Sequence, residues 1–222
     1  MTRKLLFALT LMLCFIGVNA AEHNVKVDLN RIKVDVVSNH DNYRSLLNRF
    51  VVGDTTLTLD EMATVYYGYA YTLDYNPLDK YEALEKCYND GEYAETWQLC
   101  SEALKYNPVS LDLTIKALVA ANNCDIKTAH AMIPALESRF NLISTIILSS
   151  GKGTADDSPF IVICTQDIIR IIRNVLCAES ILGQTNIRNI DAYKLKFPLS
   201  DRQHIIYFDN NIQKDFEKQY GE

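Results

Sequence analysis

Gly151, Lys152, Gly153 and Thr154 set glycines and a lysine beside a hydroxyl, the residue types with which a phosphate-binding loop wraps backbone amides and a cation around an anion. The spacing is wrong for that chemistry. A phosphate loop needs four residues between its first glycine and its Gly-Lys pair, with a helix starting at once, and neither is present here. His23, His40, His130 and His204 are scattered. None has a second imidazole or a carboxylate at the i, i+4 spacing that puts two metal ligands on one helical face. No Gly-x-Ser-x-Gly elbow exposes a serine. Cys164 or Cys177 could attack a substrate only beside a base that lowers its pKa, and the sequence does not show which histidine approaches either thiol. Asp156 and Asp157 are adjacent in a loop, where their side chains diverge into solvent. The expectation is no catalytic residue, no metal and no cofactor.

Tyr66, Tyr67, Gly68, Tyr69, Ala70 and Tyr71, with Tyr75 just beyond, form the most unusual composition in the chain. On a helix Tyr67 and Tyr71 share a face, and Gly68 removes bulk so that a neighbour can pack close. An apolar ring with a polar tip suits a binding surface. Tyr66, Tyr67, Tyr71 and Tyr75 are therefore the candidate ligand-binding residues, with packing between helices as the competing role.

The elements that would hold these residues are mainly helical. Val25, Val27, Leu29, Ile32, Val34 and Val36 alternate with polar residues from Glu22 to Val37, as in a half-buried strand or an extended arm. A first helix is expected from Asp41 to Val51, with Tyr43, Leu46, Leu47 and Phe50 on one face and Asn39 or Asp41 as its cap. Gly53 and Asp54 break the chain. Thr58 and Glu61 have the spacing of a capping box for the tyrosine helix, which Asn76-Pro77 stops. Helical spacing follows over 78–88, 92–106, 109–121 and 126–142, punctuated by Gly91, Asn107-Pro108 and a polar turn at 122–125. An exposed loop is expected over 149–159. Beyond it come a short apolar run from Phe160 to Cys164, helical spacing from Thr165 to Leu182, and strand-like runs over 190–197 and 204–208, in the order strand, helix, strand, strand. The fold class is α+β, mainly α: helical hairpins over 21–150, then a small α+β unit with a short antiparallel sheet over 151–222, packed on the helices.

Arg3 and Lys4, the apolar run from Leu5 to Val18 and small residues at Val18 and Ala20 have the layout of a cleaved secretory signal. The run falls short of the roughly 20 apolar residues that span a bilayer, and the longest later apolar stretch, Phe140 to Ser149, is only core-length. A periplasmic or secreted setting after cleavage near Ala20 is the expectation. The net charge of −6 grows more negative once Arg3 and Lys4 are removed, which argues against nucleic acid or an anionic membrane surface as partner. Cys87, Cys100, Cys124, Cys164 and Cys177 survive processing. Their odd number and spacing fit buried thiols better than a disulfide framework; if any pair forms, Cys87 with Cys100 is favoured, on consecutive helices.

Gly91, Tyr93, Cys100, Ala103 and Pro108 resemble one tetratricopeptide repeat, without its usual Trp-x-x-Leu-Gly start. Tyr66-Tyr67-Gly68 with Tyr75-Asn76-Pro77, Gly151 and Gly153 leading to Pro159-Phe160-Ile161-Val162, and the closing Ile205-Ile206-Tyr207-Phe208-Asp209 resemble an exported Bacteroidetes family known only as domain of unknown function 4919. That resemblance implies an envelope or secreted setting and carries over no catalytic residue.

The functional expectation is a non-enzymatic module of the cell envelope whose helical hairpins present a concave face to a protein or peptide partner. The alternatives are an envelope or secreted hydrolase, with residues from the tyrosine helix and the 151–160 loop, and a glycan or small-ligand binding module using exposed tyrosines.

Overall fold

The computed structural model describes residues 26–198, 200 and 202–221, so the signal-like segment lies outside the described residues. Helix α1 (Leu29–Ser38) takes the place of the expected strand. Asp28 caps it by accepting from the Arg31 amide at 3.0 Å. The alternating valines mislead because Ile32 and Val36, one helical turn apart, are the pair that is buried, while Val34 and Val37 face solvent. Helix α2 (His40–Val51) starts at Asn39 and buries Tyr43, Leu46 and Phe50. Helix α3 (Leu59–Gly68) opens on the Thr58–Glu61 capping box, complete in both directions, and tightens into a 3-10 turn at Tyr69–Tyr71.

Gly68 is where α3 meets α1 and α2. A Cβ there would stand 2.7 Å from the Val36 side chain and 3.0 Å from the Tyr43 ring. Helix α4 (Glu82–Asp90) ends on Gly91, whose φ of 77° supplies the left-handed cap. Helices α5 (Tyr93–Tyr106), α6 (Leu111–Asn123) and α7 (Lys127–Ser149) then stack in series. Helix α6 is central: residues from Leu111 to Leu118 are buried on every side, including Asp112 and Lys116. Helix α7 continues well past residue 142 and is, by length and composition, long and apolar enough to cross a membrane. Its Leu136, Phe140, Ile143, Ile146 and Ile147 are buried in the core.

One buried cation sits on α7. Arg139, 4 % exposed, donates through Nε to the Val51 carbonyl at 2.9 Å, while Ser138 Oγ donates to the Gly53 carbonyl at 3.0 Å. Burial lowers the Arg139 pKa to about 10. The negative end of the α2 dipole, reached through the last carbonyl, that of Val51, is the partner that keeps this charge tolerable.

The C-terminal region adds a sheet of order β1-β4-β3-β2: β1 (Phe160–Ile161), β2 (Ser180–Ile187), β3 (Ile190–Lys196) and β4 (Gln203–Asp209). It is mixed rather than purely antiparallel, because β1 runs parallel to β4 with Phe160 opposite Phe208. The expected long helix is shorter: α8 (Thr165–Arg170) runs through a π turn at Ile171–Val175 and stops before Cys177, which adopts a φ of 54°. The freed residues form β2, an edge strand that is mostly exposed and bulged between Ile181 and Gly183. A terminal helix, α9 (Asn211–Tyr220), was not expected. One apolar cluster joins both regions, with Tyr67 and Phe140 from the helices and Leu195 and Phe208 from the sheet. All five described cysteines are free thiols, so the favoured Cys87–Cys100 pair is not formed.

The loop before β1 is closed by glycine. At Gly153, where φ is +67°, a Cβ would fall 2.2 Å from the Phe160 ring, whereas at Gly183 it would meet nothing within 4 Å. Gly153→Ala is therefore expected to lower stability by about 2–4 kcal/mol through overpacking and left-handed strain. Gly183→Ala should change it by less than about 1 kcal/mol. Urea denaturation of the two variants makes the comparison.

Candidate functional site

The tyrosines of α3 and the following turn act as ties between distant parts of the chain. The Tyr66 hydroxyl donates to Asp167 Oδ2 at 2.6 Å and accepts from the Ile163 amide at 3.3 Å. Tyr67 donates to the Ile161 carbonyl at 3.1 Å, and Tyr75 to that of Ile163. Tyr66 and Tyr67 are 1 % and 0 % exposed, so they offer no surface to a ligand; each anchors the 161–167 segment instead. Tyr71 is half-buried, with the Lys33 ammonium 5.7 Å from its ring centre. Of the four tyrosines expected at a binding surface, only Tyr75 lines the cleft described next, joined there by Tyr69 and Tyr81.

That cleft, about 600 Å³, lies between the 75–85 segment, the turn leading into α6, and the start of α8. Such a volume is within the range of small-ligand sites. Ser110 caps α6 by accepting from the Leu113 amide at 3.1 Å, which fixes where Asp112 and Lys116 project one turn apart. Asp112 Oδ2 meets the Lys116 ammonium at 2.7 Å and Asp112 Oδ1 meets Arg170 Nη2 at 2.5 Å. Lys116, 2 % exposed, also pairs with Glu85 of α4. Burying these charges is tolerable only because each faces an opposite partner. The network ties α4, α6 and α8 together along one wall.

Asp167 lines the floor at 1 % exposure. Dehydration raises its carboxyl to about 6, against the pull of the Tyr66 hydroxyl, which donates to it, and of the nearby Cys164 thiol. Burial and the neighbouring carboxylate push the Cys164 thiol well above its ordinary pKa. That shift favours the protonated thiol over the thiolate, the form that attacks a substrate. No histidine helps it: among the described residues none lines the cleft, His130 Nε2 is 2.8 Å from the Cys124 carbonyl, and His204 sits 3.2 Å from Ser200. His23 lies outside the described residues. No cluster of three or more His, Cys, Asp or Glu side chains suited to a metal ion occurs among the described residues.

The 151–154 loop holds no anion cradle. The amides of Lys152 and Gly153 both donate to the Ser158 carbonyl, at 3.0 and 2.8 Å, and are spent within the loop. Asp156 faces Arg188 across 3.8 Å.

Asp112, Lys116, Asp167 and Arg170 were missed by sequence reasoning. A signal existed: charged residues one turn apart interrupt the apolar run from Leu111 to Ala121, and such a pair is buried only when something else compensates it.

A mainly helical α+β protein with a polar cleft, closed off by tyrosine ties, is what this geometry defines. Residues 30–217 match the family described as a domain of unknown function (DUF4919), and the chain belongs to it. No curated protein and no solved structure gives a significant match.

The raised Asp167 pKa means that the folded chain holds this proton more tightly than the unfolded one. Its contribution to stability is thus complete at low pH and is lost as pH rises from 3.8 to about 6. Asp167→Asn keeps an acceptor for Tyr66 and cannot ionise. Relative to the parent, the variant should gain about 3 kcal/mol between acid and neutral pH. Urea unfolding across that range is the measurement, and parallel curves would contradict the assignment.

Proposed function

We propose that this chain is a non-enzymatic binding module, exported to the periplasm or beyond, which takes a protein or peptide segment into the cleft between α4, α6 and α8. The observation that carries the reading is how the charges are arranged. Asp112, Lys116, Glu85 and Arg170 neutralise one another in place, and the one thiol in the cleft is held protonated. Such a wall recognises and orients; it has no spare base or nucleophile to turn a substrate over. The α4/α5 and α6/α7 helical pairs form the tetratricopeptide-like frame of this cleft. Lys80 and Arg173, which form no ion pair among the described residues, stand on its exposed lining, suited to the carbonyls or carboxylates of an extended segment.

A second reading, a hydrolase, is favoured by one observation: Asp167, with its carboxyl near pH 6, shares the cleft with Asp112, as an acid and a base would. Against it, Asp112 is already engaged by two cations.

The test pans a displayed random peptide library against the parent and against the double variant Lys80→Glu/Arg173→Glu, both positions exposed and tolerant. Peptides enriched on the parent and lost on the variant are expected. Equal enrichment on both, or none on either, removes the cleft as a peptide site. Turnover of a peptide by the purified chain would replace binding with hydrolysis.

A further inference from the structure

The floor of the cleft carries an acidic group that the wall network leaves uncompensated. Asp167 Oδ2 takes the Tyr66 hydroxyl, but Oδ1 is buried without a hydrogen-bond partner. Asn107, at the end of α5, lines the same cleft, and its Oδ1 is likewise buried and unpartnered. Buried acceptors are rarely left orphaned, and a buried carboxylate without a cation is rarer still. The two together specify the missing group: compact, rich in donors and positive.

We propose that this floor receives a primary ammonium group, donated by a peptide ligand either from its free N-terminus or from a lysine side chain. The inference rests on the peptide-binding reading and names what the cleft recognises. An ammonium has three donors on one small head, one for Asp167 Oδ1 and others free for acceptors of the same lining such as Asn107 Oδ1. A guanidinium presents a planar fork that pairs best with both oxygens of a carboxylate, and here Tyr66 already holds one of them. A hydroxyl would satisfy the acceptors and leave the charge uncompensated. Tyr75, Tyr81 and Ile169 supply apolar lining for the stem behind the ammonium.

The groups facing the Asp167 carboxyl are Tyr66 and Tyr67 of α3, Tyr75 of the following loop, Cys164 beside it in the chain, and Asp112 of α6, itself held by Lys116 and Arg170. Among the described residues no cation forms an ion pair with it. Protonation of Asp167 therefore removes the charge that attracts the ligand, and affinity falls as pH drops through about 6.

Calorimetry on the processed chain separates the sources with three probes. Trialanine has its ammonium at the N-terminus, Nα-acetyl-lysine amide has it on the side chain, and N-acetyl-trialanine has none. One of the first two is expected to bind at least about tenfold more tightly than the third, the strength of a charged hydrogen bond, and which one it is identifies the source. Asp167→Asn, still folded by its unfolding curve, should lose both this preference and the fall at low pH. Asn107→Ala should weaken the preference without changing the pH profile. Equal binding of all three probes, or no binding by either ammonium probe, overturns the proposal. If library peptides still bind the parent and not the Lys80→Glu/Arg173→Glu variant, ammonium recognition fails alone and the peptide cleft stands.

Discussion

The hydrogen bond from Tyr66 to Asp167 joins residues 101 positions apart, and most of the architecture is arranged around it. It is made where α3, the start of α6 and the start of α8 converge, at the nearly buried floor of the cleft. A tyrosine hydroxyl there must find an acceptor, and a carboxyl there must find donors, so each settles the other's position. With Tyr66 fixed, Tyr67 and Tyr75 fall into place on the Ile161 and Ile163 carbonyls, and the short strand β1 is held against the helical stack. The sheet then extends from β1 through β4, and the two regions of the chain share a single apolar core.

The same convergence decides what the cleft can do. Low dielectric strengthens each charge pair in the wall and penalises each group left over. The wall is internally neutral and rigid, while the floor retains unsatisfied acceptors. That combination is what the proposed peptide site would use. A catalytic site would instead place an activated base or nucleophile in reach of open solvent, and the thiol best placed for such a part is the one that burial silences.

Much of the helical half was legible because its boundaries are written locally. Thr58 with Glu61, Gly91, and Asn107 with Pro108 each act within one turn, and each acts as expected. The stretch from Leu29 to Val37 was misread because one set of valines serves both an alternating pattern and a helical stripe, and only the cap at Asp28 separates them. Strand β2 carried no alternation because its middle is polar and exposed on both faces. Helix α9 did carry a signal, Ile212 and Phe216 one turn apart and packed on the core, which the strand-rich run before it obscured. The cleft itself was out of reach. Its lining comes from three separated segments, and the property that sets Asp167 apart, its dehydration, belongs to its surroundings and to no residue in the string.

Strand β2 has one further consequence. An open sheet margin offers free amides and carbonyls to any other extended chain, which is the usual route to fibrils. Here the middle of that margin, from Gly183 to Asn186, is polar, the strand is bulged between Ile181 and Gly183, and Leu182 and Ile187 are its exposed apolar side chains. The chain thus leaves an open backbone margin whose polar, bulged middle offers a second copy a poor template for pairing.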